Sequence, residues 1–142
     1  MTSKAAIYPP LPLPNEMTQF FWDGCQARKL MILRCKGCGR YIHYPRPVCN
    51  GCLSTDLAPA EVSGEATLYG YTVAMQAFHP YFADKLPYTL ALVELVEQAG
   101  LRLTTNIVDV PEAELTTGMP VRLVWREVAP DLVLPMFTKA AS

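Results

Sequence analysis

Four cysteines fall within one short stretch, CKGCGRYIHYPRPVCNGC: Cys35 and Cys38, then Cys49 and Cys52. Each pair has C-x2-C spacing, with ten residues between the pairs. A C-x2-C turn places two thiolates on one side of a tight loop. Two such turns face to face make a tetrahedral four-cysteine site, with zinc–sulfur bonds of about 2.3 Å. Gly39, directly after Cys38, allows that turn a positive φ, so that backbone N–H groups point at sulfur; the second turn carries Gly51 inside it instead. Zinc is the leading expectation, with rubredoxin-like iron or redox-active free thiols as alternatives. Four protein ligands leave no position for water or substrate, so the metal is expected to be structural. In zinc-finger peptides such a site supplies about 10–16 kcal/mol of apparent free energy, enough to fold a module too small for its own core. His43 lies between the pairs and is expected outside the ligand shell. Arg34, Lys36, Arg40 and Arg46 surround the site. They either balance the thiolates or meet a phosphate or an acidic partner face.

No other constellation reads as catalytic. The chain has two histidines, His43 and His79, and no G-x-S-x-G or phosphate-cradling loop. Cys25 has no histidine near it in sequence and reads as a buried, inert thiol. His79 sits in an aromatic segment with Phe78, Tyr81, Phe82 and Lys85. Packing or ligand contact suits this histidine better than general-base work. An aromatic loop with a lysine suits an acyl chain plus a phosphate, or a hydrophobic partner.

Charge is uneven. Residues 1–60 hold seven Lys/Arg and three Asp/Glu, and residues 61–142 hold five and ten. An acidic ligand should meet the basic front half, or the place where the halves join. No signal peptide is apparent and no run approaches a membrane span, so a cytoplasmic setting is expected, where paired cysteines bind metal more often than they form disulfides.

The elements that position these residues follow from pattern. Residues 1–15 read as an extended arm, because Pro9, Pro10, Pro12 and Pro14 exclude helix. A short helix is expected over about 16–28, capped by Asn15 or Thr18, with Met17, Phe20, Phe21 and Gly24 on one face. Phe21 and Trp22 are adjacent and cannot share a narrow core stripe, so one of them is a candidate partner anchor. Residues 30–33 form a strand leading into the first cysteine pair. Residues 53–64 read as loop or linker with Pro59 at the boundary, which sets a helix-plus-ribbon unit at 16–60 and a β unit at 61–138, followed by a tail at 139–142. The β unit shows five strands: a long first one with a bulge at Gly70, a second (88–97) apolar enough to be buried on both faces, a third alternating cleanly over 101–110, a fourth with Val121, Leu123 and Trp125 inward, and a last with Pro135 at an edge. The loop 78–87 follows the first strand, and a helical turn is expected between the third and fourth. The fold class is therefore mainly β: an N-terminal helix and four-cysteine zinc ribbon followed by a five-stranded OB-fold barrel. An SH3-like barrel also fits the strand count.

The stretches FFWDGCQARKLMILRCKGCGRYIHYPRPVCNGC, PYTLALVELVE, LRLTTNIVDV and TGMPVRLVW resemble the "domain of unknown function thirty-five" family over about residues 17–138. That family joins a rubredoxin-like zinc ribbon to an OB-fold and is often found beside thiolases. The resemblance implies a non-catalytic accessory subunit in acyl-CoA metabolism, bound to a thiolase-type or related enzyme that carries the catalytic residues. It implies one structural Zn2+ at Cys35, Cys38, Cys49 and Cys52, and a coenzyme A thioester as ligand. Lys29 and Asn50 depart from the family's usual glycine and proline. Phe21, Trp22, Arg40, Arg46, Phe78, His79, Tyr81, Phe82 and Lys85 are the candidate contacts for acyl-CoA or partner, in a hetero-oligomer of α2β2 type. The rival is a nucleic-acid-binding ribbon–barrel module. Such a module should be basic and carry aromatic platforms on its middle strands. Here the barrel half is acidic and residues 88–108 carry one aromatic, Tyr88.

Overall fold

The computed structural model describes residues 7–140. The first six residues of the expected arm and the last two of the tail lie outside this range. Residues 7–15 carry no regular structure, and Leu11, Pro12 and Pro14 lie beside the helix and the last hairpin.

The helix α1 (Gln19–Gln26) is shorter than the 16–28 expected. Asn15 accounts for the difference. Its side-chain Oδ1 accepts hydrogen bonds from Met17 and Thr18 N–H, and its backbone carbonyl accepts from Thr18 and Gln19, so residues 15–18 form a turn that feeds the helix. At the other end Arg28 takes the left-handed conformation (φ 57°) that stops it. The left-handed residue of this turn is thus Arg28 and not Lys29, the position at which the resemblance leads to an expected glycine. Gly24 is buried where α1 crosses the next strand. A Cβ there would meet the Lys29 carbonyl and the Met31 side chain, each at 2.7 Å, so only glycine allows the approach.

The ribbon is a three-stranded antiparallel sheet of β1 (Met31–Cys35), β2 (Tyr41–Ile42) and β3 (Leu57–Glu61), with β1 in the centre. Strand β3 corrects the expectation that residues 53–64 are loop or linker with a boundary at Pro59. Lys36 N–H donates to the Asp56 carbonyl and Val62 N–H to that of Leu30, and Pro59 stands opposite Leu33 between these bonded pairs. By alternation the missing N–H of Pro59 faces the open edge, where proline costs no ladder bond and discourages further pairing.

The remaining strands close a barrel in the order β4-β5-β6-β8-β7. They are β4 (Glu65–Ala74), β5 (Tyr88–Leu95), β6 (Arg102–Ile107), β7 (Pro120–Ala129) and β8 (Leu132–Lys139). All neighbours are antiparallel except β6 and β8, which meet in parallel at Ile107 and Phe137. Five strands closed with this one parallel seam form the OB-fold. The β4 bulge lies between Leu68 and Gly70, as expected. Leu101, Leu103, Thr105 and Ile107 are buried as their alternation requires, and Val121 is buried with Leu123 and Trp125 packed beside it. The expectation that β5 is buried on both faces fails: its burial alternates, and Leu90 is 43% exposed. A closed barrel has one inside, and an apolar run cannot put both faces there. The expected helical turn is a single 3-10 turn at Glu112–Glu114. Pro135 pairs with Trp125, and its carbonyl accepts from the Thr105 hydroxyl at 2.8 Å, so a side chain supplies a bond near the sparse β6–β8 seam.

Ribbon and barrel share a core. Leu30 and Ile32 of the ribbon side belong to the barrel's apolar cluster with Leu68, Val93 and Phe137. The helix serves both sides: Phe21 packs on that cluster, while Phe20 packs on the ribbon cluster of Leu33, Cys35, Ile42 and Cys49. Among the described residues no helix is long and apolar enough to cross a membrane.

Candidate metal centre and flanking clefts

The two cysteine turns are built alike. Cys35 N–H donates to Arg40 carbonyl and Gly39 N–H to that of Cys35; in the second turn, Cys49 N–H donates to Ser54 carbonyl and Leu53 N–H to that of Cys49. Gly39 has φ 80°, as expected, but the matching place in the second turn is Leu53, at φ 66°. Gly51 inside that turn is not the residue that supplies the left-handed backbone. The spacing alone hid this, because leucine gives no sign of a positive φ.

The four sulfurs converge within 4.8 Å of one another. Across the turns, Cys35 and Cys52 lie 3.5 Å apart and Cys38 and Cys49 3.6 Å. A tetrahedral ion with bonds of about 2.3 Å sets sulfurs about 3.8 Å apart, so the cage is close to the size a metal needs. Cys38 N–H points at the Cys35 sulfur at 3.5 Å, and Gly51 N–H at the Cys49 sulfur at 3.3 Å. Such donors favour thiolate. The Cys38 N–H, chiefly, holds the Cys35 thiol below its ordinary value, and the N–H groups of Cys52 and Gly51 bring Cys49 down to about 6. Cys52 behaves oppositely. The Ser54 N–H works to lower it, but its sulfur neighbours Cys35, Cys38 and Cys49 hold it up, to about 12. Four thiolates this close repel, and a divalent cation is what lets all four ionise together. The donor set fits a metal with no open coordination position.

His43 stands outside the cage, as expected. It packs at the joint of ribbon, helix and barrel, 5.9 Å from the Phe21 ring and 4.3 Å from that of Tyr44. Burial pushes it down to about 4, so it is neutral near pH 7. Cys25 is 1% exposed, and burial drives its thiol up to about 12, which makes it inert at neutral pH. Arg34 donates to the Gly39 carbonyl at 2.9 Å and covers the Tyr41 ring at 4.5 Å. Arg40 donates to Asn50 Oδ1 at 3.2 Å, so Asn50 ties the two turns together. Arg46 lines a shallow groove with Met17, Phe20 and Leu57.

Phe21 and Trp22 meet edge to face at 5.1 Å and wall a mostly apolar cleft of about 300 Å3 with His43, Tyr44, Pro45 and Leu103. The Tyr44 hydroxyl pairs with that of Thr104, also in the lining, at 2.8 Å. In the barrel loop, His79 is a structural cap: its Nδ1 accepts the Tyr81 N–H at 3.1 Å and starts the 3-10 turn Pro80–Phe82. Phe78 is 87% exposed. Phe82 stacks on Tyr88 at 4.9 Å, and the Lys85 ammonium lies 3.9 Å from the centre of the Tyr81 ring. The candidate contacts thus split into three groups: Arg40 and Arg46 on the ribbon, Phe21 and Trp22 at the joint, and Phe78 to Lys85 on the barrel loop.

Fold and site together define a rubredoxin-like ribbon fused to an OB-fold. The chain matches the ChsH2 rubredoxin-like zinc ribbon domain over residues 22–58 and the ChsH2 C-terminal OB-fold domain over residues 60–126. It is 32% identical over 121 residues to a DUF35 domain-containing scaffold protein of Methanocaldococcus jannaschii, covering 84% of each chain. It is 40% identical over 131 residues to a probable enoyl-CoA hydratase alpha subunit of Thermomonospora curvata, spanning 92% of this chain but 40% of that relative. Among solved structures, a chain of the Ltp2-ChsH2(DUF35) aldolase superposes with a TM-score of 0.84 at 39% identity, covering 92% of this chain and 100% of that one. A DUF35 protein of Sulfolobus solfataricus shares the fold, with a TM-score of 0.61 at 18% identity, covering 88% and 86%. This chain belongs to the DUF35 family, with the ChsH2 pairing of zinc ribbon and OB-fold.

Proposed function

We propose that this chain is a non-catalytic accessory subunit of an acyl-CoA enzyme, docking on a catalytic partner of thiolase type that makes or breaks a C–C bond. The observation that carries the reading is the end-to-end match to the DUF35 chain of the Ltp2-ChsH2 aldolase. The relatives described as a scaffold protein and as a hydratase alpha subunit support accessory work on acyl-CoA thioesters. The site agrees with this division of labour. The one metal cage among the described residues is closed, and the two histidines serve as a packed ring and a turn cap.

In this account the metal is a structural Zn2+, and the units 16–60 and 61–138 act as docking head and barrel, joined in a cytoplasmic hetero-oligomer of α2β2 type. Arg40 and Arg46 offer positive charge on the head, Phe21 and Trp22 offer rings at the joint, and the loop from Phe78 through His79, Tyr81 and Phe82 to Lys85 faces the coenzyme A thioester. Ion pairing supports the direction of docking. The salt bridges among the described residues all engage barrel cations, Lys85, Arg102, Arg126 and Lys139; Arg34 and Arg40 on the ribbon bond only neutral oxygens, so no carboxylate offsets their charge. The test is reconstitution of the partner enzyme with and without this chain. Turnover should appear or rise at least tenfold on adding it, with none from the chain alone. Unchanged partner turnover would defeat the proposal.

A further inference from the structure

The four caged cysteines can do a second chemistry when they meet an oxidant. Their sulfur–sulfur hydrogen bonds run across the turns, Cys35 with Cys52 at 3.5 Å and Cys38 with Cys49 at 3.6 Å. Within each turn the first sulfur meets a backbone N–H instead, that of Cys38 for Cys35 and that of Gly51 for Cys49. Each cross-turn pair joins an exposed residue, Cys52 or Cys38, to a buried one, Cys35 or Cys49. An oxidant from solvent therefore reaches one sulfur of each pair, and the other lies directly behind it.

The pairing belongs to the fold. Lys36 N–H donates to the Asp56 carbonyl at 2.9 Å, and Cys35 stands opposite Leu57, so the chain leaving the second turn is bound to the strand that ends in Cys35. The bond from Arg40 to Asn50 joins the turns again at 3.2 Å. None of these bonds uses a cysteine side chain or a metal. A disulfide sets its sulfurs about 2.05 Å apart, so each pair must close by about 1.5 Å.

We infer that the cage is a peroxide-sensitive site, and that its oxidised form holds two disulfides across the turns, Cys35 to Cys52 and Cys38 to Cys49. In each pair the exposed thiolate attacks one peroxide oxygen; the O–O bond breaks, hydroxide leaves and a sulfenic acid forms. The buried thiolate then attacks that sulfur; the S–O bond breaks and a second hydroxide leaves. Two electrons pass from each pair to one peroxide, and solvent protons turn the hydroxides into water. Once both pairs have reacted, no thiolate remains to hold a dication. Both disulfides tie one turn to the other, which a bond inside either turn would not do. In a reducing compartment such bonds are transient, so they answer to oxidant. The inference is independent of the accessory-subunit reading.

The zinc-loaded full chain, without partner, is titrated with hydrogen peroxide. Released metal is read with a chromophoric chelator, thiols are counted after denaturation, and disulfides are mapped by mass spectrometry. Two peroxides should release one metal, and the five thiols should fall to one, that of the buried Cys25. Trypsin cuts after Lys36 and so parts Cys35 from Cys38. Both fragments should be found linked to the peptide that carries Cys49 and Cys52, with Cys35 on Cys52 and Cys38 on Cys49. A dithiol with Zn2+ should restore five thiols and the metal. Cys25→Ala should lose metal at the same dose. Bonds within the turns, bonds to Cys25, metal loss without disulfides, or metal and five thiols kept at about tenfold excess of peroxide each overturn the inference.

Discussion

The side-chain amide of Gln98 replaces a missing strand for Tyr41. Its Oε1 accepts the Tyr41 N–H at 2.8 Å, and its Nε2 donates to the Tyr41 carbonyl at 3.0 Å. Tyr41 is on β2, an outer strand of the ribbon sheet, and Gln98 is in the β5–β6 turn of the barrel. One side chain therefore covers a strand edge and couples the two units. Gln98→Ala leaves both half-buried backbone groups unpaired and should cost about 1–3 kcal/mol. Urea unfolding measures this, and amide exchange at β2 should rise more than exchange in the barrel core.

Removing metal should unfold the ribbon first. Its own cluster is small and two of its four buried members are cysteine ligands, Cys35 and Cys49. Cys49→Ser, or a strong chelator, should abolish protection of β1–β3 while the barrel keeps most of its β signal. Bound metal by elemental analysis and amide exchange check this; a metal-free chain with a fully protected ribbon would contradict it.

The two cysteine turns carry different residues, Gly39 and Leu53, at the matching left-handed position, and that difference is measurable. Leu53 holds φ 66° with its side chain 76% exposed, so the strain is not offset by burial. Relief of the left-handed strain outweighs the extra chain entropy of glycine, and Leu53→Gly should stabilise the metal-loaded protein by about 0.5–1 kcal/mol. Gly39→Ala, the reverse change at the matching position, should cost about 1–2 kcal/mol. Thermal unfolding of both variants decides the point.

His43 predicts a pH dependence with a definite sign. Its folded value is depressed to about 4 by burial, against an ordinary 6.5. Above pH 6.5 both folded and unfolded states hold it neutral. As pH falls the unfolded state takes up the proton first, so stability declines between about 6.5 and 4 and the loss levels off below 4, at up to about 3 kcal/mol. Thiolate protonation acts in the same range, so the readout is the difference between wild type and His43→Phe, which should show a shallower slope.

How much was legible depended on the range of the interaction. The cysteine spacing encodes a local cage, and the alternation of residues 101–107 encodes a barrel strand; both read directly. Strand β3 did not, because Pro59 is a strand breaker except at an edge, and only the pairing with Leu33 shows where the edge lies. Leu90 read as core because an apolar run records composition and not which face closes inward. The Gln98–Tyr41 clamp and the Tyr44–Thr104 bridge join residues 57 and 60 apart, and polar residues on turns carry no mark of such partners. His79 read as packing or ligand contact, and its capping bond to the Tyr81 N–H is a turn-forming role that neither expectation contained.

An accessory subunit should travel with its catalytic partner. The tagged, metal-loaded chain can be recovered from the cells that make it, with bound proteins identified and quantified by mass spectrometry. A thiolase-like acyl-CoA enzyme should come with it in near-equal amount, reduced at least tenfold when Arg40→Glu and Arg46→Glu are combined with Phe82→Ala. Nucleic acid or ribosomal proteins recovered in its place would mean that this chain serves no such enzyme.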